Sequence, residues 1–116
     1  MSEDSAQLVA EIVVPNLGET MAFLEALGFR TERIDGTFAV LRWDDAYLFI
    51  AEDAGATVKE RWINVRVIVP DVDAMLEKAT RLGGRVVSSI GDRDYGLRDF
   101  IVSGPGGIEI RFAQVI

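Results

Sequence analysis

A chain of 116 residues has room for one domain, and burial of roughly two thirds of the unfolded surface, usual at that size, supplies an independent core. With 49% hydrophobic residues, 27% charged residues and three Pro, the sequence is neither disordered nor fibrous. Zero Cys excludes thiol catalysis, disulfides and thiolate metal sites; zero His removes the commonest metal ligand and general base; a net charge of −7 argues against a nucleic-acid partner, which needs a dense Lys/Arg surface.

Met1-Ser2-Glu3-Asp4 is acidic where a secretory signal would be basic. No uninterrupted apolar stretch approaches the ~18 residues of a membrane span, so a cytoplasmic protein without a membrane partner is expected. Leu8 to Val14 alternates as a strand. Asn16 is a good N-cap, with Glu19 three residues on as in a capping box, and Leu17, Met21, Leu24 and Leu27 recur at helical spacing until Gly28 ends the helix. Phe29 to Ile34, Thr37 to Trp43 and Ala46 to Ala51 read as strands joined by tight turns at Asp35-Gly36 and Asp44-Asp45. After a polar link, Trp62 to Val69 is a strand. Asp71 caps a second helix carrying Val72, Leu76, Ala79 and Leu82 before Gly83, and Arg85 to Ile90, Arg98 to Ser103 and Ile108 to Gln114 follow as strands. Gly104-Pro105-Gly106-Gly107 makes the last turn and is a poor phosphate cradle, because no helix follows it.

The two halves answer each other. Val13-Val14-Pro15-Asn16-Leu17 is matched by Ile68-Val69-Pro70-Asp71-Val72, and Leu27-Gly28 by Leu82-Gly83, both at an offset of 55 residues. The predicted fold is therefore α+β: two tandem βαβββ modules, about 7–52 and 62–116 with a linker at 53–61, in a single domain 1–116. Strand alternation places Leu8, Ala10, Ile12 and Val14, then Ile63, Val65, Val67 and Val69, and Ile108, Ile110 and Phe112, under the helices. The mixed faces, with Val9, Glu11 and Val13, then Trp62, Asn64, Arg66 and Ile68, and Glu109 and Arg111, are left for a cleft.

This order, with Tyr95-Gly96-Leu97-Arg98-Asp99-Phe100 leading into Gly104-Pro105-Gly106-Gly107 and Arg111-Phe112, resembles the glyoxalase, bleomycin-resistance and dioxygenase (vicinal oxygen chelate) superfamily over nearly the whole chain. Within it, Leu8-Val9-Ala10-Glu11-Ile12, Phe38-Ala39, Asp44-Asp45 and Leu48-Phe49-Ile50 look like the bleomycin-resistance type, although the usual Asp-Pro-x-Gly turn is here Gly104-Pro105-Gly106-Gly107. The resemblance implies mixed sheets curved around a cleft, with metal ligands in the enzymes on the first and last strands of each module. Those positions map to Val9, Phe49, Asn64 and Arg111. Val and Phe offer no lone pair, Asn is a weak neutral ligand and Arg repels a divalent cation. No metal and no cofactor are expected.

What the resemblance then implies is a metal-free protein that binds and sequesters a small molecule, with antibiotics among the candidates, as a homodimer. The predicted ligand-binding residues are Phe38, Tyr47, Phe49, Trp62, Asn64, Arg66, Arg111, Glu11 and Glu109, with no catalytic residue. For each a structural role competes: the phenylalanines as core, and Arg66 and Arg111 as salt-bridge partners of Glu11 and Glu109. The alternative function is an enzyme of the same superfamily, a lyase, isomerase or dioxygenase, using an unrecognised metal or acid/base chemistry at Glu11 or Glu109. Acidic surroundings favour a cationic ligand, whereas two adjacent arginines favour an anion. Tyr95 and Arg98 are possible cleft lining, and Arg98 and Asp99 point to opposite faces of their strand.

Overall fold

The computed structural model describes residues 9–56 and 65–116. Strand β1 (Ala10–Val14) leads into helix α1 (Leu17–Leu27), followed by β2 (Arg30–Asp35), β3 (Phe38–Trp43) and β4 (Ala46–Glu52). The order repeats in β5 (Val65–Ile68), α2 (Val72–Arg81), β6 (Arg85–Asp92), β7 (Leu97–Ser103) and β8 (Glu109–Val115). Two four-stranded mixed sheets result, ordered β1-β4-β3-β2 and β5-β8-β7-β6, each with its first strand parallel to its last. The fold is α+β with two βαβββ modules, as the internal repeat predicts.

The duplication extends to the contacts that start each helix. Asn16 Oδ1 accepts from the Glu19 N–H at 2.9 Å, and Asp71 Oδ1 from the Ala74 N–H at 3.0 Å. One position further on, the Leu17 N–H donates to the Glu52 carboxylate at 2.8 Å and the Val72 N–H to the Gln114 side-chain carbonyl at 2.9 Å. The last strand of each module therefore satisfies one of the N–H groups that every helix start leaves unpaired. Helix α1 ends at Gly28, whose φ of 138° is in the range that a side chain disfavours and whose face lies against the Trp43 ring.

On α1, Leu17, Met21, Leu24 and Leu27 are buried as their spacing predicts, joined by Thr20 and Phe23. Helix α2 is thinner: Val72 and Ala79 are buried, Leu76 is half-buried, and Leu82, expected on the apolar face, is exposed because it lies beyond the last helical turn. Ala10, also expected beneath a helix, is exposed at the outer end of the edge strand β1. Between the modules, Phe23 packs so closely on the last turn that a Cβ on Gly104 would lie 2.4 Å from its ring, and Trp43 meets Phe112 at 6.3 Å between ring centroids. One hydrophobic cluster runs from Val14 and Leu24 through Leu41 and Ile50 to Phe100, Ile110 and Phe112. Its position on the helix side leaves the opposite face of each sheet uncovered by this chain's helices.

Candidate functional site on the open sheet faces

On the first sheet the open face is built by alternation. Ala39, Leu41, Leu48 and Ile50 turn into the core, so Phe38 and Val40 on β3, and Tyr47 and Phe49 on β4, face the other way. Register places Phe49 beside Glu11 on one flank and Val40 on the other. The Phe38 and Phe49 rings meet edge to face at 5.3 Å and remain half-buried, an arrangement that holds both rings rigid while leaving apolar surface to offer. An open concavity of about 350 Å³ is lined by Val9, Glu32, Arg33, Val40, Tyr47 and Phe49. Arg42 lies over the Tyr47 ring with its guanidinium carbon 5.6 Å from the centroid.

The second sheet carries charge at the corresponding place. Arg66 and Arg111 are in-register partners on the parallel strands β5 and β8, as Glu11 and Phe49 are on β1 and β4. Glu109 lies two residues before Arg111 and so shares its face. Beside them is Asp99 on β7, 1% exposed and ringed by donors. Arg93 Nε donates to its Oδ1 at 2.8 Å, Tyr95 Oη to its Oδ2, and Arg111 Nη1 to its Oδ2 at 3.3 Å and to the Tyr95 hydroxyl at 3.2 Å. Burial works to raise the Asp99 carboxyl, but the hydrogen bonds from Tyr95 and Arg93 and the charges of Arg111 and Arg93 outweigh it and hold the group below the ordinary carboxylate range. Arg111 Nε is buried with no acceptor among the described residues, a deficit worth about 1–3 kcal/mol for an unsatisfied polar group.

The structure thus gathers Phe38, Tyr47 and Phe49, with Glu11 alongside, on the first open face, and Arg66, Arg111 and Glu109 on the second. Trp62 and Asn64 lie outside the described residues. Arg111 takes its ion pair from Asp99, and neither Arg66 nor Arg111 pairs with Glu11 or Glu109 among the described residues. Arg98 and Asp99 do diverge: Arg98 binds Asp73 of α2 at 2.8 Å and Asp92 at 3.1 Å, on the helix side. Asp99 and Arg93 were not legible as a pair. The one signal is an acid set directly before the apolar run Phe100-Ile101-Val102.

A family model for the Glyoxalase/Bleomycin resistance protein/Dioxygenase superfamily matches residues 6–112. The chain belongs to that superfamily. No curated protein sequence matches it significantly. Among solved structures it is similar to a bleomycin-binding protein in complex with bleomycin, with 18% identity, a TM-score of 0.79 and coverage of 97% of this chain and 100% of that one. It is also similar to the bleomycin-binding protein of Streptomyces verticillus in complex with copper(II)-bleomycin, with 21% identity, a TM-score of 0.73 and coverage of 96% and 97%. A third similar structure is the fosfomycin resistance protein of Listeria monocytogenes with manganese(II) and a dihydroxypropylphosphonic acid, with 18% identity, a TM-score of 0.78 and coverage of 93% and 88%. At these identities the likeness is one of fold. No helix among the described residues is long and apolar enough to cross a membrane.

Superfamily enzymes that use a metal need donors where this chain has few. Val9 and Phe49 have none and Arg111 is a permanent cation. Among the described residues no three His, Cys, Asp or Glu side chains are grouped to hold an ion. Asp99, the most buried carboxylate among the described residues, is engaged by two arginines and a tyrosine. The described residues do not fit a divalent metal.

Proposed function

We propose that this protein binds and sequesters a small molecule on the open sheet faces, without a metal and without chemical turnover, and that two copies associate to close those faces into clefts. The observation that carries the reading is the replacement of a donor set by an aromatic wall and an arginine pair. Phe38 and Phe49 hold each other in an edge-to-face arrangement, and Arg66 and Arg111 stand side by side on the equivalent strands. Rigid aromatic surface with a few placed polar groups is the usual make-up of a small-molecule site. Phe38, Tyr47, Phe49, Arg66 and Arg111 are the contacts, with Glu11 and Glu109 at the margin; Trp62 and Asn64, also expected to bind from the sequence, lie outside the described residues. The similar structures that hold bleomycin support binding as the activity and antibiotics as the first ligands to try.

Exposed apolar residues on the open side of the second module support association. Ile68 is 54% exposed at the end of β5, and an apolar strand end left in water is a candidate for burial between copies. The expected size in solution is that of a dimer by light scattering; a monomer across the micromolar range removes the shared cleft. The binding reading is tested by a thermal-shift panel of glycopeptide and quinone antibiotics alongside divalent metals. A ligand at one hundred times its Kd stabilises by about 2.7 kcal/mol, a readily measured rise in Tm. Stoichiometric metal uptake that raises Tm overturns the metal-free reading.

A further inference from the structure

The geometry points to an oxyanion subsite at Arg66 and Arg111, and to an aromatic monocarboxylate as the class of ligand that occupies it. This rests on the reading of the open faces as ligand-binding surfaces, and narrows it to a charge and a shape.

Arg66 and Arg111 are opposite each other on adjacent parallel strands, which lie about 4.8 Å apart. Like charges directly opposite on a sheet repel, and a fold tolerates that where something else neutralises them. Arg66 has no ion pair among the described residues. Arg111 has one, but it is shared: Asp99 also accepts from Arg93 at 2.8 Å and from Tyr95, and the Arg111 contact is the longest of the three at 3.3 Å. Only Nη1 of Arg111 is used there, and its buried Nε has no acceptor. Arg66 and the Nη2 of Arg111 therefore retain unused donors on adjacent strands, the kind of paired donor that recognises a planar carboxylate.

The neighbours set the rest of the ligand. Asp99 and Tyr95 anchor Arg111 from one side, so its orientation is fixed before anything binds, which lowers the ordering cost of binding. Tyr95, 53% exposed, presents a ring beside that guanidinium, and Ile101 is the in-register partner of Arg111 on β7. Together they give a flat apolar body a place to lie next to the charged group. Glu109 on the same face of β8 adds a negative charge that disfavours a dianion, so a carboxylate is preferred to a phosphate.

The test titrates the full chain, labelled with nitrogen-15, with 2-naphthoate and with its neutral and cationic isosteres, 2-naphthamide and 2-naphthamidine. Naphthoate is expected to bind about tenfold tighter than either and to move the amide signals of Arg66, Ile101 and Arg111. Arg66→Gln, at an exposed position, is expected to weaken naphthoate about tenfold with an unchanged circular dichroism spectrum, and Arg111→Lys to weaken it as well, since an ammonium lacks the fork. Equal or tighter binding of naphthamidine, unchanged naphthoate affinity in Arg66→Gln, or shifts confined to the first sheet overturn the oxyanion subsite and leave the binding function standing. Absence of binding by all three probes on both sheet faces overturns the two together.

Discussion

Asp99 is a carboxylate set in an apolar strand, 1% exposed, and its two oxygens meet a guanidinium from the β6–β7 connection, a phenol and a second guanidinium from β8. Such a group ties three chain segments together, and it does so only while ionised. Its carboxyl is held below the ordinary range, so the unfolded chain binds its proton more readily than the folded one. The stability it supplies is therefore full above the unfolded value of about 3.9 and is lost as pH falls through the lower folded value. Asp99→Asn removes the charge and points an amide N–H at existing donors. The expected cost is about 1.5–3 kcal/mol at pH 7, the scale of a hydrogen bond to a charged group, or a drop in melting temperature of roughly 5–15 °C. Scans from pH 7 to pH 3 should show the gap between the wild-type and Asn curves constant at neutral pH and narrowing once pH falls below about 3.9, and a gap that does not narrow on further acidification through the lower folded value would show that ionisation is not what matters. Arg98→Gln provides the contrast. Its pairs with Asp73 and Asp92 are open to water and screened, so the melting temperature should move less than in Asp99→Asn.

Each helix begins under a side chain sent across from the end of its own sheet. Glu52 and Gln114 are chemically different, one charged and one neutral, yet each accepts from the first helical N–H, at Leu17 and Val72. Glu52→Ala and Gln114→Ala should each cost about 1 kcal/mol in urea unfolding, as for other lost helix-start acceptors, with the Gln variant insensitive to salt. The difference between these acceptors and the N-caps explains what the sequence discloses. Asn16 and Asp71 act three residues away, so the helix starts are legible from local spacing alone. Glu52 and Gln114 act over 35 and 42 residues, and nothing in the sequence connects them to the helices they serve. The same holds at the site. Alternation separates Arg98 from Asp99 and puts Phe38 and Phe49 on one face, because period two is a local property. That Arg111 pairs with Asp99, and not with Glu109 beside it, depends on how β7 and β8 come into register, which is decided across the sheet. Leu82 is misread for a related reason: helical spacing continues in the letters after the backbone has left the helix.

The repeat invites the idea that each module is a folding unit, and the packing between them argues otherwise. Phe23 of α1 rests on the turn before β8, with its ring where a Cβ on Gly104 would have to go, and Trp43 of β3 contacts Phe112 of β8. Buried residues of both modules form one cluster, so neither half completes its core alone. Gly104 isolates the interface, because its φ of −117° is open to any residue and substitution acts through space and not through backbone strain. Gly104→Ala forces the Phe23 ring to move, an overpacking change that typically costs about 1–3 kcal/mol. If the modules are one cooperative unit, amide signals of β3 and β7 followed through a urea titration disappear at a single midpoint, and Gly104→Ala lowers that midpoint equally for both. Phe23→Leu in the same background should recover part of the loss, since a smaller side chain gives the new methyl room, which marks the contact as the cause. A midpoint for β3 that does not respond to the change at Gly104 would mean that the first module stands alone, and that the Phe23 contact joins two separately stable halves.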